Sequence, residues 1–181
     1  LQQAFDAASS LYKERGFQRR IGFGNKPALI SVDLANAWTR PGNPFTCDQE
    51  KMDQEIIPSM QRLLACFRYN GFPVIHVTTA YEVTDRNSTF TDMGLWHCKI
   101  PVEAVNLRRK ELWAIDSRIA PVDGEYTLIK KSASAFHGTE LAGILKSNGV
   151  DTILVTGVTA CACVRETICD GLAEGFRTIA A

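Results

Sequence analysis

Short apolar runs alternate with longer amphipathic stretches along this chain, and the alternation predicts strands and helices in turn. Ala28-Leu-Ile-Ser-Val-Asp33 is an apolar, β-branched run that ends in an acid, the pattern of a central strand with a carboxylate at its C-terminal tip. Ile56 to Tyr69 sets Met60, Leu63, Leu64 and Phe67 at helical spacing and stops at Asn70-Gly71, as a helix end should. Pro73 to Thr79 reads as the next buried strand, which completes a first β-α-β unit. The stretch from about 80 to 120, with Trp96, Trp113 and several charges, predicts a long irregular excursion over the sheet edge.

After the Asp123-Gly124 turn, Tyr126-Thr-Leu-Ile-Lys130 is a third strand, again ending in a charge. Leu141 to Leu145 belongs to a helix that closes before Gly149, and Asp151 to Thr156 is a fourth buried run. A glycine turn follows, then a helix with Cys163 in its first turn and Val164, Ile168 and Leu172 at i, i+4, i+8 on one face. Arg177 to Ala181 starts a fifth strand, and Phe5, Ala8, Leu11 and Tyr12 predict a leading helix. The expected organisation is therefore a helical arm over residues 1–26 and one domain over 27–181. Its fold class is α/β: a doubly wound three-layer sandwich with a central, mostly parallel sheet.

Composition narrows the class. With 181 residues, 45% hydrophobic and 22% charged, the chain suits one large soluble domain. Twenty basic residues balance twenty acidic ones and no long basic run occurs, which argues against a nucleic-acid surface. No apolar run approaches the roughly 18 residues that span a membrane, and the start lacks a basic-then-apolar leader. The six cysteines have neither zinc-site spacing nor a small-domain disulfide framework, so reduced thiols in a cytoplasmic protein are expected.

In a doubly wound sheet, ligands bind beyond the carboxyl ends of the strands. Asp33, Lys130 and Cys163 all fall at or just past such ends. Together they form a coherent nucleophilic set: Cys163 attacks a carbonyl, Asp33 takes the thiol proton, and Lys130 steadies the charges. Backbone N–H groups at the helix start would favour a thiolate and receive an oxyanion. Each residue alone has an ordinary explanation, as a loop cap, a solvated strand end and a packing thiol. Gly22 to Pro27 superficially resembles a phosphate loop but precedes a strand, which argues against a nucleotide site. Cys161 and Cys169 are expected to pack, and Arg165 to form a structural or subunit-contact ion pair.

Three segments carry a family resemblance: Ala28 to Trp38, the block Lys130, Ser134-Ala135-Phe136, Gly138-Thr139 and Leu141, and Val155 to Thr159 with Cys163-Val164-Arg165 and Thr167. They resemble the signature segments of the isochorismatase-like cysteine hydrolases. Arg19 to Pro27, Val32 to Thr39, Asp92 to Trp96, Lys99 to Pro101 and Arg118 to Pro121 narrow the resemblance to the branch that acts on N-carbamoylsarcosine. It implies an Asp33, Lys130, Cys163 triad, and a cis peptide between Val158 and Thr159 beside an oxyanion hole formed by the Thr159 and Cys163 amides. Asn36, Trp38 and Trp96 are the candidate substrate contacts, and Phe45 is a further aromatic for the pocket wall.

The implied reaction releases ammonia from a terminal carbamoyl group through a thiocarbamate on Cys163, leaving sarcosine and carbon dioxide. Maleamate, ureidoacrylate and biuret are alternative substrates, and an inactive relative acting in binding or assembly is an alternative role. No cofactor is expected, and the small-molecule substrate and a homotetramer are the implied partners. The metal-dependent nicotinamidase branch has histidine-containing ligands after the first strand, whereas residues 34–75 here contain none. No catalytic metal is expected, and His76, His97 and His137 read as structural or solvent-facing. Ala35 stands where many family members have glutamine. Family chains continue past the point matching Ala181, with an arginine suited to a substrate carboxylate, so a C-terminally incomplete domain is expected.

Overall fold

A computed structural model of the chain describes residues 2–82, 92–98 and 100–181, apart from the side chains of Trp96, His97 and Val102. Five strands form one sheet: β1 Pro27–Val32, β2 Val74–Thr79, β3 Tyr126–Lys130, β4 Thr152–Gly157 and β5 Arg177–Ala180. Their order is β3-β2-β1-β4-β5, and every pairing is parallel. The expected mostly parallel sheet is thus wholly parallel across these strands. β1, β2 and β4 are buried almost throughout, which explains why they read as mainly apolar, β-branched runs and not as alternating ones.

Among the described residues, four helices of seven residues or more accompany the sheet: α1 Gln2–Glu14, α2 Ile57–Tyr69, α3 Leu141–Ser147 and α4 Arg165–Ala173. Successive side chains of a strand point to opposite faces, and β1 divides accordingly. Leu29 joins Ile57, Met60, Leu64 and Phe67 of α2 in one core. Ala28, Ile30 and Val32 join Leu141 and Leu145 of α3 in the other, with Val164 just before α4. The sheet lies between these two helical layers, the three-layer arrangement expected.

The 92–120 stretch is more integrated than an edge excursion. Met93, Val105, Leu112 and Ile119 are buried in the α2-side core, and bridges pair Ala35 with Ile115 and Tyr81 with Asn106. Asp116, wholly buried, holds the stretch in place. It accepts from Arg118 at 2.7 Å and from Arg40 at 2.9 Å. The sequence pattern concealed this because short helical turns such as Val102–Val105 and Lys110–Trp113 are too brief to show a period.

Two further expectations are corrected. Leu172 is half exposed, and the buried face of α4 runs through Thr167 and Gly171, continuing from Val164. A residue at i+8 lies about 80° around the helix from i, whereas i+7 nearly eclipses it. Cys161 and Cys169 are exposed and do not pack. α1 buries none of its residues. The glycine loop after it closes on a carboxylate of the chain itself: Asn25 and Lys26 amides donate to Asp151, and the Gly24 amide donates to Thr152 Oγ1. A Cβ on Gly24 would overlap the Asp151 carboxylate.

Candidate active site

Three parallel strand ends converge through their register. β1 and β2 pair Val32 with Val77, and the Asp33 amide donates to the Val77 carbonyl at 2.8 Å. β2 and β3 pair Thr79 with Lys130. β1 and β4 pair Val32 with Gly157, so closely that a Cβ on Gly157 would lie 1.9 Å from the Val32 carbonyl oxygen. Gly157 also has φ of +123°, a conformation open to glycine and poorly tolerated by other residues. This close approach brings the turn after β4 beside the end of β1.

That turn is a cis Val158–Thr159 peptide followed by a π-helical turn, Ala160–Val164, which runs into α4. The Ala162 and Val164 amides both donate to the Thr159 carbonyl. Thr167 Oγ1 donates to the Cys163 carbonyl at 2.7 Å and accepts from the Ala135 amide at 3.0 Å. The Ser134-Ala135-Phe136 segment therefore braces the cysteine-bearing turn. Cys163 precedes the α-helix proper instead of opening it.

The structure brings Asp33, Lys130 and Cys163 together. Lys130 Nζ lies 3.1 Å from Asp33 Oδ2 and 3.4 Å from Cys163 Sγ, with Asp33 wholly buried and Lys130 nearly so. Asp33 has φ of +54°, a left-handed conformation that a short polar side chain tolerates. The Asp33–Lys130 contact is an ion pair without hydrogen-bond directionality, and among the described residues Oδ2 has no hydrogen-bond donor. Burial and the neighbouring Asp33 carboxylate push the Cys163 thiol up to about 11, against the opposing pull of Lys130. The helix-start N–H groups therefore do not prevail in the resting site. Cys163 is held as a thiol beside the Asp33 carboxylate.

Thr79 and Tyr81 adjoin this cluster, although no motif in the sequence marks them. Thr79 Oγ1 donates to Asp33 Oδ1 at 2.9 Å and accepts from Lys130 Nζ at 2.7 Å. Tyr81 is buried, and burial with the charges of Asp33 and Cys163 raises its phenol to about 12. The available signal was position: both stand at or just past the end of β2, as Asp33 and Lys130 do on β1 and β3. Lys131 Nζ lies 5.7 Å from the Tyr81 ring centre and pairs with Asp92 at 2.7 Å.

Asn36 donates through Nδ2 to the Glu111 carbonyl at 2.9 Å. Trp38 is buried in the α2-side core, stacked on Phe45 with ring centres 5.0 Å apart. The Trp96 side chain lies outside the described residues. His76 is buried in β2 with Nε2 3.1 Å from Glu125, and His137 is exposed. Among the described residues, no three His, Cys, Asp or Glu side chains group to hold a metal ion.

A thiol, an ammonium and a carboxylate at the carboxyl ends of a parallel sheet define an α/β architecture built around a cysteine. The model of the isochorismatase domain matches residues 27–181, and the chain belongs to that family. It is 52% identical over 180 residues to the N-carbamoylsarcosine amidase of Arthrobacter sp, covering 99% of this chain and 66% of that protein. The chain thus spans just under two thirds of that relative's length. Maleamate amidohydrolase of Pseudomonas putida is 35% identical over 178 residues, with 96% and 79% covered. The crystal structure of N-carbamoylsarcosine amidase from Thermoplasma acidophilum superposes with a TM-score of 0.71 at 28% identity, covering 87% of this chain and 82% of that one.

Proposed function

We propose that this protein is a cysteine amidohydrolase of linear amides that cleaves the terminal carbamoyl C–N bond of N-carbamoylsarcosine. The single observation that carries the mechanism is Lys130 Nζ lying within reach of both Asp33 Oδ2 and Cys163 Sγ. The 52% identity to an N-carbamoylsarcosine amidase supports the substrate. Cys163 Sγ bonds to the carbamoyl carbon while its proton passes to Asp33 Oδ2. The Thr159 and Cys163 amides, on either side of the turn after the cis Val158–Thr159 peptide, receive the oxyanion in this reading.

Collapse of the adduct breaks the C–N bond, and the departing nitrogen takes the proton from Asp33 and leaves as ammonia. Water then attacks the thiocarbamate, giving its proton to Asp33, which returns it to the Cys163 sulfur. The freed N-carboxysarcosine loses carbon dioxide to give sarcosine. Asn36, Trp38 and Trp96 are the proposed substrate-side contacts, and no metal or other cofactor takes part.

The same reading makes the protein a cytoplasmic homotetramer. Five cysteines (47, 66, 161, 163 and 169) without disulfides support a reducing compartment. Exposed Phe5, Leu11 and Tyr12 on α1 support association of copies through the 1–26 arm. Ammonia release by the full-length protein over small ureido and amide acids tests the proposal. N-carbamoylsarcosine is the expected best substrate. Preference for maleamate, ureidoacrylate or biuret would move the substrate and keep the chemistry.

A further inference from the structure

Asp33 and Lys130 leave unexplained how a carboxylate beside an ammonium keeps one oxygen free to accept a proton. Lys130 has three N–H donors. They go to Thr79 Oγ1 at 2.7 Å, the Ser132 carbonyl at 2.9 Å and Cys163 Sγ at 3.4 Å. The Thr79 hydroxyl has one proton, and it goes to Asp33 Oδ1 at 2.9 Å. Oδ2 consequently sits 3.1 Å from the ammonium with no hydrogen-bond donor among the described residues.

We infer that Thr79 is a positioning residue: its hydroxyl takes one Lys130 proton and occupies Asp33 Oδ1, which reserves Oδ2 as the base for the Cys163 thiol. The placement follows from the sheet. Thr79 is the last residue of β2 and the cross-strand partner of Lys130, and β1 delivers Asp33 to its other side. Thr79 is 6% exposed, so no bulk water competes for these bonds. Without the hydroxyl, the released Lys130 N–H turns to the carboxylate, stabilises its charged form and makes it a poorer proton acceptor. The inference rests on the proposed roles of Asp33 and Cys163.

The test is the pH profile of Cys163 alkylation by iodoacetamide, read on the Cys163 peptide by mass spectrometry in the full-length wild type, Thr79→Val, Thr79→Ala and Thr79→Ser. The two variants lacking the hydroxyl should react about tenfold or more slowly at neutral pH and recover only on the alkaline limb. Thr79→Ser should restore the neutral reactivity, a rescue that a purely packing role would not give. Near-ultraviolet circular dichroism identifies which variants are folded, and one folded variant of the Val and Ala pair suffices. A wild-type profile in a folded variant without the hydroxyl, or a Ser variant as impaired as the others, would overturn the inference. Hydroxyl-dependent alkylation in a protein that releases no ammonia would overturn the hydrolase reading and support this one.

Discussion

Lys130 Nζ, on the last residue of β3, stands 3.4 Å from Cys163 Sγ in the turn that follows β4, although β3 and β4 are not neighbours in the sheet. The lysine reaches past β2 and β1 from β3, and among the described residues its ammonium is the one positive charge paired with the buried Asp33 carboxylate. Lys130→Met should therefore do two things. Ammonia release should be lost, and stability should fall by about 3 to 5 kcal/mol because a buried carboxylate loses its partner. Urea denaturation read beside activity checks both.

Asp33→Asn separates chemistry from conformation. Asparagine tolerates the left-handed backbone that Asp33 adopts at φ +54°, so the stability loss should come only from the buried Lys130 ammonium left without its carboxylate, about 3 to 5 kcal/mol. The amide cannot take the Cys163 proton, and the rate should drop about 10²- to 10⁴-fold. A steady-state assay beside a thermal melt of the same variant decides this.

Gly157→Ala should be among the most damaging single substitutions. The added methyl meets the Val32 carbonyl oxygen at 1.9 Å, on a backbone with φ of +123°. β1 and β4 must separate at the point that sets Asp33 against Cys163, a loss of about 4 kcal/mol or more. Soluble yield and the unfolding midpoint measure it.

Alkaline pH should weaken the fold through two groups. Cys163 rises from 9.0 to about 11 and Tyr81 from 10.0 to about 12, burial being the largest cause for each. A raised acid keeps its proton in the folded state while the unfolded chain loses it, so stability is full below the unfolded value and falls as pH rises through the folded one. The window runs from about pH 9 to 12. Tyr81→Phe should shrink the loss in the upper part of that window, measured by urea midpoints against pH.

Asp116 accounts for how the irregular 92–120 stretch is held. Burial would raise its carboxyl, but hydrogen bonds from Arg118 outweigh that and hold it at about 2. Its stabilising contribution is present above the ordinary value of 3.8 and is lost as pH falls towards 2. Asp116→Asn should cost about 2 kcal/mol at neutral pH, in the range of hydrogen bonds to charged groups, and flatten the acid limb of the stability curve.

The sheet was legible because β1, β2 and β4 are buried almost throughout and so appear as mainly apolar, β-branched runs without a regular polar alternation. Asp33, Lys130 and Cys163 were legible because a charge or thiol ending such a run is conspicuous. Thr79 was not, since a threonine at the end of β2 is also an ordinary strand former; only the register with Lys130 reveals its bonds. The stacking of Trp38 on Phe45 was not legible either, because a linear pattern does not encode which aromatic rings meet. Leu172 shows the other failure, where spacing of i+8 was given the weight that belongs to i+7.

The central claim is covalent catalysis by Cys163, and acid-quenched mass spectrometry of the full-length protein turning over N-carbamoylsarcosine tests it most directly. The account predicts a carbamoylated adduct confined to the Cys163 peptide, formed while ammonia is released, with both adduct and ammonia absent in Cys163→Ala. Undiminished ammonia release by Cys163→Ala, with no adduct on the wild-type Cys163 peptide, would contradict it.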